Sequence, residues 1–502
     1  MRKSNKFKLI KFASIFIFLI LILYFLITTQ HNKIFFKKIL NILPQQTLCK
    51  DCNIIFVSLD TLSANHLQCY GYERQTAPNL CSFAEKNIFF ENTYSNAPWT
   101  LPSHVSIFTG LYPFRHGVNK SLDVLEKNIT LLPELLKSNG YNVLFFIPKN
   151  DISLPIRGVY EKINDGLYDN NIYDWSKSIE MFKQSVRNNK KTFMFLHTYA
   201  THSPYIIEDR KPIYQPVDKN IPVESKQIFN NFSPEFIDFF LSETRKGIEN
   251  NIFWQLDHKT AEKLFLELEL AYPNYSDMRD VLVKMKESNN NLLYDYEYFY
   301  NYLRKINPKN SENVEALKAL YDQTINILDI DKIPLLTNLI ESPEFKDNTI
   351  LIIFSDHGEE FMEHNHLWHE TIYNSNIKVP LVMHIPNLNN KKISNSVQLV
   401  DVFPTLTEIV GIKTDISFDG KSLIENIIQN RDSNKLIITD GWGLESKSLI
   451  YNEWKLFLLK QENRNYIPYE LYNLNEDPDE KHNILFENID IKNEMLEKYL
   501  KL

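Results

Sequence analysis

The sequence predicts an α/β protein built on a doubly wound, mostly parallel sheet, and three observations predict it. Short runs of β-branched and aromatic residues recur without polar interruption, as strands buried on both faces require. Helical patterns separate these runs. Acidic or histidine residues stand directly behind several of them, at the carboxyl ends of strands, where open sheets of this kind gather their functional groups.

Before the sheet, residues 1–11 carry Arg2, Lys3, Lys6, Lys8 and Lys11, and residues 12–29 run almost wholly apolar (FASIFIFLILILYFLITT). That length crosses the hydrocarbon layer, so one transmembrane helix is expected. A cleavable signal peptide is the rival reading, but no small-x-small cleavage site follows. Cys49 lies too far beyond the apolar run for a lipoprotein. The basic residues ahead of the helix outnumber Lys33, Lys37 and Lys38 behind it, which favours a cytoplasmic N-terminus and a periplasmic or extracellular catalytic domain. Residues 30–52 form a stem in which Ile34, Phe35, Phe36, Ile39 and Leu40 lie among lysines, suited to a helix along the membrane surface or to a plain stem helix.

The first sheet strand is expected from Asn53, ending at Asp60. Similar runs span Val143 to Ile147, Thr192 to His197, Thr349 to Ser355 and Val379 to Ile385, with helical patterns over Thr130 to Asn139 and Ser176 to Asn188 between them. Residues 53–425 read as the catalytic domain. Within it, 206–313 change to Asn-, Glu-, Tyr- and Phe-rich helical patterns, read as a helical insertion over one edge of the active face. Residues 426–502, with strand-like runs Lys435 to Thr439 and Ser448 to Leu459 and a helix-like Ile491 to Leu502, read as a small α+β subdomain.

Composition narrows the function. A chain of 502 residues with 43% hydrophobic content buries a large core. Its 55 Lys+Arg against 63 Asp+Glu leave a net charge of −8, and no basic stripe interleaves with aromatics, which argues against a nucleic-acid partner. Cys49, Cys52, Cys69 and Cys81 allow two disulfides. No thioredoxin-like unit surrounds Cys49-Lys50-Asp51-Cys52 and no second pair completes a zinc site, so structural or idle thiols are expected.

Three pieces carry chemistry. In Trp99-Thr100-Leu101-Pro102-Ser103-His104, Pro102 suits a first helical turn and Gly110 suits its end, so Thr100 is expected at the N-cap. A helix N-terminus there binds a tetrahedral anion through free N–H groups and its partial charge. In Phe354-Ser355-Asp356-His357-Gly358-Glu359, Asp356 and His357 at a strand end face one divalent cation, Asp60 completes the shell, and a hydroxyl beside that cation becomes a nucleophile near neutral pH. Finally, His197 and His202 flank a strand exit, and His364, His366 and His369 follow the Asp-His pair; imidazoles so placed donate to non-bridging oxygens or protonate a leaving group.

Together these residues resemble the sulfatase branch of the alkaline phosphatase superfamily. The order Asp60, Trp99-Thr100-x-Pro-Ser-His104 with Thr109-Gly110-x-Tyr-Pro113, then Ser355-Asp356-His357-Gly358-Glu359 carries the resemblance. His116-Gly117-Val118, Tyr321-Asp322 heading a helix, Lys378-Val-Pro-Leu381, Leu399-Val-Asp-Val-Phe-Pro-Thr-Leu406 and Glu470-Leu-Tyr-Asn-Leu-Asn-Glu-Asp-Pro478 extend it over Asn53 to Asn483. The resemblance implies an alkaline-phosphatase-like fold and one divalent metal on Asp60, Thr100, Asp356 and His357. That metal is Ca²⁺ in typical sulfatases, with Mn²⁺ or Zn²⁺ suggested here by His357. It implies Thr100 as nucleophile, His104 one turn further along, His202 near the leaving group and His369 near the substrate oxyanion.

Two departures matter. Thr61 stands where many sulfatases have a second Asp, and Thr100 and His104 replace both ends of the formylglycine pattern Cys/Ser-x-Pro/Ala-x-Arg. A Thr ester cannot eliminate to an aldehyde, so phosphate esters or diesters are expected over sulfate. The expected function is ester hydrolysis through a covalent Thr100 intermediate, on a small-molecule, lipid or glycan substrate. The alternatives are a transferase of envelope head groups and a silent anion-binding envelope protein.

Overall fold

The computed structural model describes residues 48–120, 123–148, 167–170, 175–202, 205, 311–369, 371–429, 435–462 and 465–501. The expected transmembrane segment, most of the expected stem and nearly all of the expected helical insertion lie outside the described residues. Among the described residues, no helix is long and apolar enough to cross a membrane.

Along the chain come strands β1 (Asn53–Leu59), β2 (Ile88–Tyr94), β3 (Asn142–Pro148), β4 (Leu167–Asn170), β5 (Thr192–Thr198) and β6 (Thr349–Phe354). A short ribbon of β7 (Glu360–Phe361) and β8 (Leu367–Trp368) follows, then β9 (Lys378–His384) and β10 (Lys391–Gln398). The ribbon apart, these build one eight-stranded sheet in the order β10-β2-β9-β6-β1-β5-β3-β4. β1 lies between β5 and β6 and is parallel to both. The sheet is mostly parallel, with one correction: β9, expected among the parallel runs, is antiparallel to β6 and to β2. An apolar run fixes that a strand is buried on both faces, not which way it points.

Helices cover both faces, as a doubly wound sheet requires. Those described include α1 (Pro78–Lys86), α2 (Thr100–Thr109), α3 (Leu132–Ser138), α4 (Ser176–Arg187), α5 (Ser311–Asp331), α6 (Ile333–Glu341) and α7 (Val402–Val410). Side chains along β1 alternate between the faces. Ile55, Val57 and Leu59 pack with Leu80, Phe182, Leu317 and Leu336 of α1, α4, α5 and α6. Phe56 points the other way, where its ring meets Phe108 of α2, Phe195 of β5 and Phe354 of β6. Two residues on, Ser58 keeps that direction, and Asp60 continues it just past the strand. Truncating Phe56 to Ala would cost roughly 3–5 kcal/mol. Tyr321-Asp322, expected to head a helix, instead lies in the middle of α5.

The C-terminal part is an antiparallel sheet, β11 (Ile437–Asp440), β12 (Ser446–Tyr451), β13 (Trp454–Lys460) and β14 (Tyr466–Asn473), packed with helix α8 (Ile489–Tyr499). The run Ser448 to Leu459, expected as one strand, is a hairpin. Asn452 turns it with φ 53°, a left-handed conformation that Asn tolerates. Both possible disulfides are present, Cys49 with Cys52 and Cys69 with Cys81.

Candidate active site

Three strand ends of the parallel core converge on one point. Ser58 is in register with His197 of β5 and with Phe354 of β6. Two residues beyond that register stand Asp60 and Asp356, both on the face covered by α2, and His357 follows. Asp60, Asp356 and His357 are buried, and one potential ligand atom from each lies within 4.8 Å of the others.

The donor set fits a cation. All four carboxylate oxygens of Asp60 and Asp356 are buried without a hydrogen-bond partner among the described residues. His357 Nδ1 faces the Gly358 carbonyl at 3.0 Å, and a carbonyl only accepts, so Nδ1 carries the proton and Nε2 is a bare lone pair. That lone pair stands 3.3 Å from Asp60 Oδ1 and 3.6 Å from Asp356 Oδ2. Acceptors facing acceptors in a dry site call for a positive charge between them. Burial raises both carboxyls above the ordinary carboxylate value, and the charge of Asp60 raises Asp356 further, to about 8. Burial also holds His357 below the ordinary imidazole value despite the pull of Asp356.

Thr61 does not join this group. Its hydroxyl donates to the Thr201 carbonyl at 2.7 Å, and the Tyr321 hydroxyl donates to the Thr61 carbonyl at 2.6 Å. These bonds hold Thr61 at φ 56°, a left-handed conformation costly for a β-branched residue.

Thr100 is the first residue of α2, one place later than expected, and Trp99 is the N-cap. The shift matters because the Thr100 hydroxyl is then not used to cap the helix. It lies 3.2 Å from His357 Nε2 and donates to that lone pair. Helix and turn are joined again where the Ser103 hydroxyl donates to the Asp356 carbonyl at 2.7 Å. Gly358 has a reason beyond turn-making: a Cβ there would collide with the Ser375 carbonyl oxygen.

His104 sits behind the reacting face. Its Nδ1–H donates to the Thr100 carbonyl at 3.0 Å, which leaves Nε2 to accept from the Ser58 hydroxyl at 2.9 Å. Burial pushes its pKa down to about 3, so it is a neutral brace between β1 and α2. His369 and His202 lie on the open side. The His369 ring is 4.6 Å from that of His357 and 5.3 Å from that of His202, centre to centre. Glu359 Oε1 accepts from His369 Nδ1 at 2.9 Å while Glu359 Oε2 accepts from the Tyr205 hydroxyl at 3.0 Å. Burial disfavours the His369 imidazolium, but the charge and hydrogen bond of Glu359 outweigh it and raise the pKa above the ordinary value.

Asp60, Thr100, His104, His202, Asp356, His357 and His369 thus gather around one site, whereas His364, expected among the imidazoles there, is turned to the Glu360 carboxylate and the Asp479 carbonyl. The site residues not given a role were Ser58, Ser103, Tyr205, Tyr321 and Glu359. Ser103, Tyr321 and Glu359 had a signal, since all three stand inside the quoted motifs.

A family model for sulfatases matches residues 52–412, and one for the C-terminal part of N-sulphoglucosamine sulphohydrolase matches residues 362–502. The chain belongs to the sulfatase family. It is thereby a sulfatase-family ester hydrolase, on an alkaline-phosphatase-like α/β fold. The human arylsulfatase K is 21% identical over 448 residues, covering 86% of this chain and 78% of that protein. The N-acetylglucosamine-6-O-sulfatase of Bacteroides thetaiotaomicron is 23% identical over 416 residues, covering 76% and 71%. Among solved structures, the phosphonate monoester hydrolase of Agrobacterium radiobacter superposes with a TM-score of 0.62 at 15% identity, covering 90% of this chain and 95% of that one. A structure solved with its substrate D-glucosamine-2-N,6-O-disulfate gives 0.57 at 19%, covering 89% and 96%. At these identities the superpositions show the shared fold.

Proposed function

We propose that this sulfatase-family enzyme cleaves phosphate esters in preference to sulfate esters, by a two-step displacement at Thr100. The observation that carries the reading is the Thr100 hydroxyl, 3.2 Å from His357 Nε2 and free of any capping duty, beside two carboxylates whose oxygens have no partner among the described residues. Asp60, Asp356 and His357 would hold one divalent ion. Two carboxylates with an imidazole suit Mn²⁺ or Zn²⁺ better than Ca²⁺, which prefers oxygen alone. Such an ion supplies Lewis acidity that eases loss of the Thr100 proton and offsets the charge of the ester.

In the first step, Thr100 Oγ1 forms a bond to phosphorus and the bond to the leaving oxygen breaks. His369, oriented by Glu359, gives its Nε2 proton to that oxygen, and the proton released by Thr100 restores it through solvent. In the second step, water attacks phosphorus, the Thr100 Oγ1–phosphorus bond breaks, and the water's proton returns to Thr100. His202 lies beside His369 to contact the leaving group, while His104 sets the pitch of α2 and touches no substrate. The phosphoester preference follows from the side chain: a Thr ester is released only by displacement at the central atom.

The two disulfides support a periplasmic or extracellular catalytic domain held by the apolar segment 12–29, with a lipid or glycan ester as substrate. The test is the full chain loaded with Mn²⁺, Zn²⁺ or Ca²⁺ and given aryl phosphate mono- and diesters, a phosphonate ester and an aryl sulfate. Phosphorus esters should turn over faster, and Thr100→Ala should lose about a thousandfold in kcat. Full activity in Thr100→Ala would overturn the nucleophile, and a preference for sulfate would overturn the substrate class.

A further inference from the structure

The C-terminal sheet touches the catalytic chain just before the nucleophile. The Thr439 hydroxyl donates to the Ser95 carbonyl at 2.6 Å, and the Asp440 N–H donates to the Asn96 carbonyl at 2.9 Å. The Asn96 side-chain amide returns a bond to the Ile438 carbonyl at 2.9 Å. β11, which makes these contacts, runs straight into Gly441-Trp442-Gly443-Leu444. There the Trp442 ring stacks on that of Trp99 at 4.4 Å and 28°.

The turn holds the indole rigidly. Leu444 N–H donates to the Gly441 carbonyl at 3.0 Å and Glu445 N–H to the Trp442 carbonyl at 3.1 Å. Gly443 and Leu444 both adopt left-handed conformations, φ 60° and 63°, unfavourable for Leu. Gly441 packs where a Cβ would strike the Ser446 hydroxyl.

Covering Trp99, which is 8% exposed, takes one face of Trp442; Trp442 nevertheless stays 45% exposed. An isolated exposed aromatic is ordinary, so exposure alone decides nothing. Position decides it. Trp99 adjoins Thr100, so the path from the Thr100 hydroxyl through Trp99 to the Trp442 ring is at most roughly 15 Å. A sugar residue or two joined through the ester oxygen spans that reach. A pyranose offers one face of C–H groups that packs on an indole while its hydroxyls stay in water.

We infer that Trp442, backed by Trp99, is a stacking platform for the sugar ring of a glycan ester and selects that substrate class. The inference rests on the reading of the Thr100 site given above. It is tested in the full chain with Trp442→Ala and Trp442→Phe. The probes are glucosamine 6-sulfate and glucosamine 6-phosphate, set against ethyl sulfate and ethyl phosphate, which carry no ring.

Trp442→Ala should raise KM for the sugar esters about tenfold with kcat little changed, and Trp442→Phe should restore most of the loss. The ring-free esters should be unaffected, and the sugar esters should quench tryptophan fluorescence in the unmodified chain but not in Trp442→Ala. Equal loss on both ester classes would mean that Trp442 only supports the fold, and would overturn the platform. So would sugar esters that neither quench the unmodified chain nor distinguish it from Trp442→Ala. Quenching that depends on Trp442, with turnover unchanged in Thr100→Ala, would sink the nucleophile and leave the platform standing.

Discussion

The Ser103 hydroxyl donates a 2.7 Å hydrogen bond to the backbone carbonyl of Asp356. The helix that carries Thr100 and the turn that carries Asp356 and His357 are therefore clasped independently of any bound ion. Ser103→Ala should cost about 1–2 kcal/mol in urea unfolding, since a buried carbonyl loses its partner. It should also lower kcat about tenfold at constant KM, because the groups that contact the ester remain while their spacing loosens. An unchanged kcat would show that the clasp does not set the geometry.

Binding of the proposed divalent ion should stabilise the protein. The partnerless carboxylates of Asp60 and Asp356 gain from a cation, and an ion at a hundredfold excess over its Kd adds about 2.7 kcal/mol. Chelator-treated protein should melt lower than protein with Mn²⁺. Asp356→Asn should erase that difference without lowering the metal-free Tm, since it removes one of two carboxyls that repel each other. A metal response surviving Asp356→Asn would count against this ligand set.

Gly358→Ala is expected to be costly for a packing reason. The new Cβ meets the Ser375 carbonyl oxygen and the Asn376 backbone, neither of which moves freely. The penalty should be roughly 2–3 kcal/mol by chemical unfolding, with metal affinity reduced as His357 is displaced. Unaltered stability and affinity would mean the turn relaxes more easily than its contacts imply.

His364 gives the fold a pH-dependent contact. Burial lowers its pKa, but the hydrogen bond to Glu360 at 2.8 Å and the charges of Glu360 and Glu480 outweigh burial and raise it. A raised imidazole stabilises fully below the unfolded value of about 6.5 and loses that contribution as pH rises through the folded value. The stability gap between the unmodified chain and His364→Gln should be on the order of 1 kcal/mol at low pH and shrink in alkaline buffer. Urea midpoints at several pH values check this, and a gap that widens with pH would refute it.

The disulfides should differ in weight. Cys69 and Cys81 are separated by 12 residues and Cys49 and Cys52 by 3. On loop entropy, replacing the first pair with Ser should cost about 3 kcal/mol and replacing the second about 1.5 kcal/mol. Denaturant unfolding of the two double variants ranks them, and equal costs would show that loop length is not what governs.

How much was legible follows from which signals are local. β1, β3, β5 and β6 stood out because strands buried on both faces leave unbroken apolar runs. β10 (KKISNSVQ) lies at the sheet edge with several side chains in water, so its composition resembles a loop. β2 carries Glu91 and Asn92 mid-strand and was hidden in the same way. The grouping of Asp60, Asp356 and His357 was legible because strand ends are readable and their side chains are distinctive. The conformation of Thr61 was not, since it is imposed by Thr201 and Tyr321, far away in the chain. The role of His104 was equally hidden, as its neutrality depends on burial and on Ser58.

The central place of β1 also sets a timetable. Its residue Asn53 bonds to Asn348, 295 positions later. At about 5–20 residues per second, synthesis of that interval takes roughly 15–60 s. Throughout it, a strand whose seven residues all end up buried waits beside an incomplete sheet. Pairings this distant in sequence slow folding and leave apolar edges open to aggregation. Asp60 is among the first of the site residues made and among the last to find its place, so yield of active enzyme should depend on holdase chaperones that shield β1 until β6 arrives.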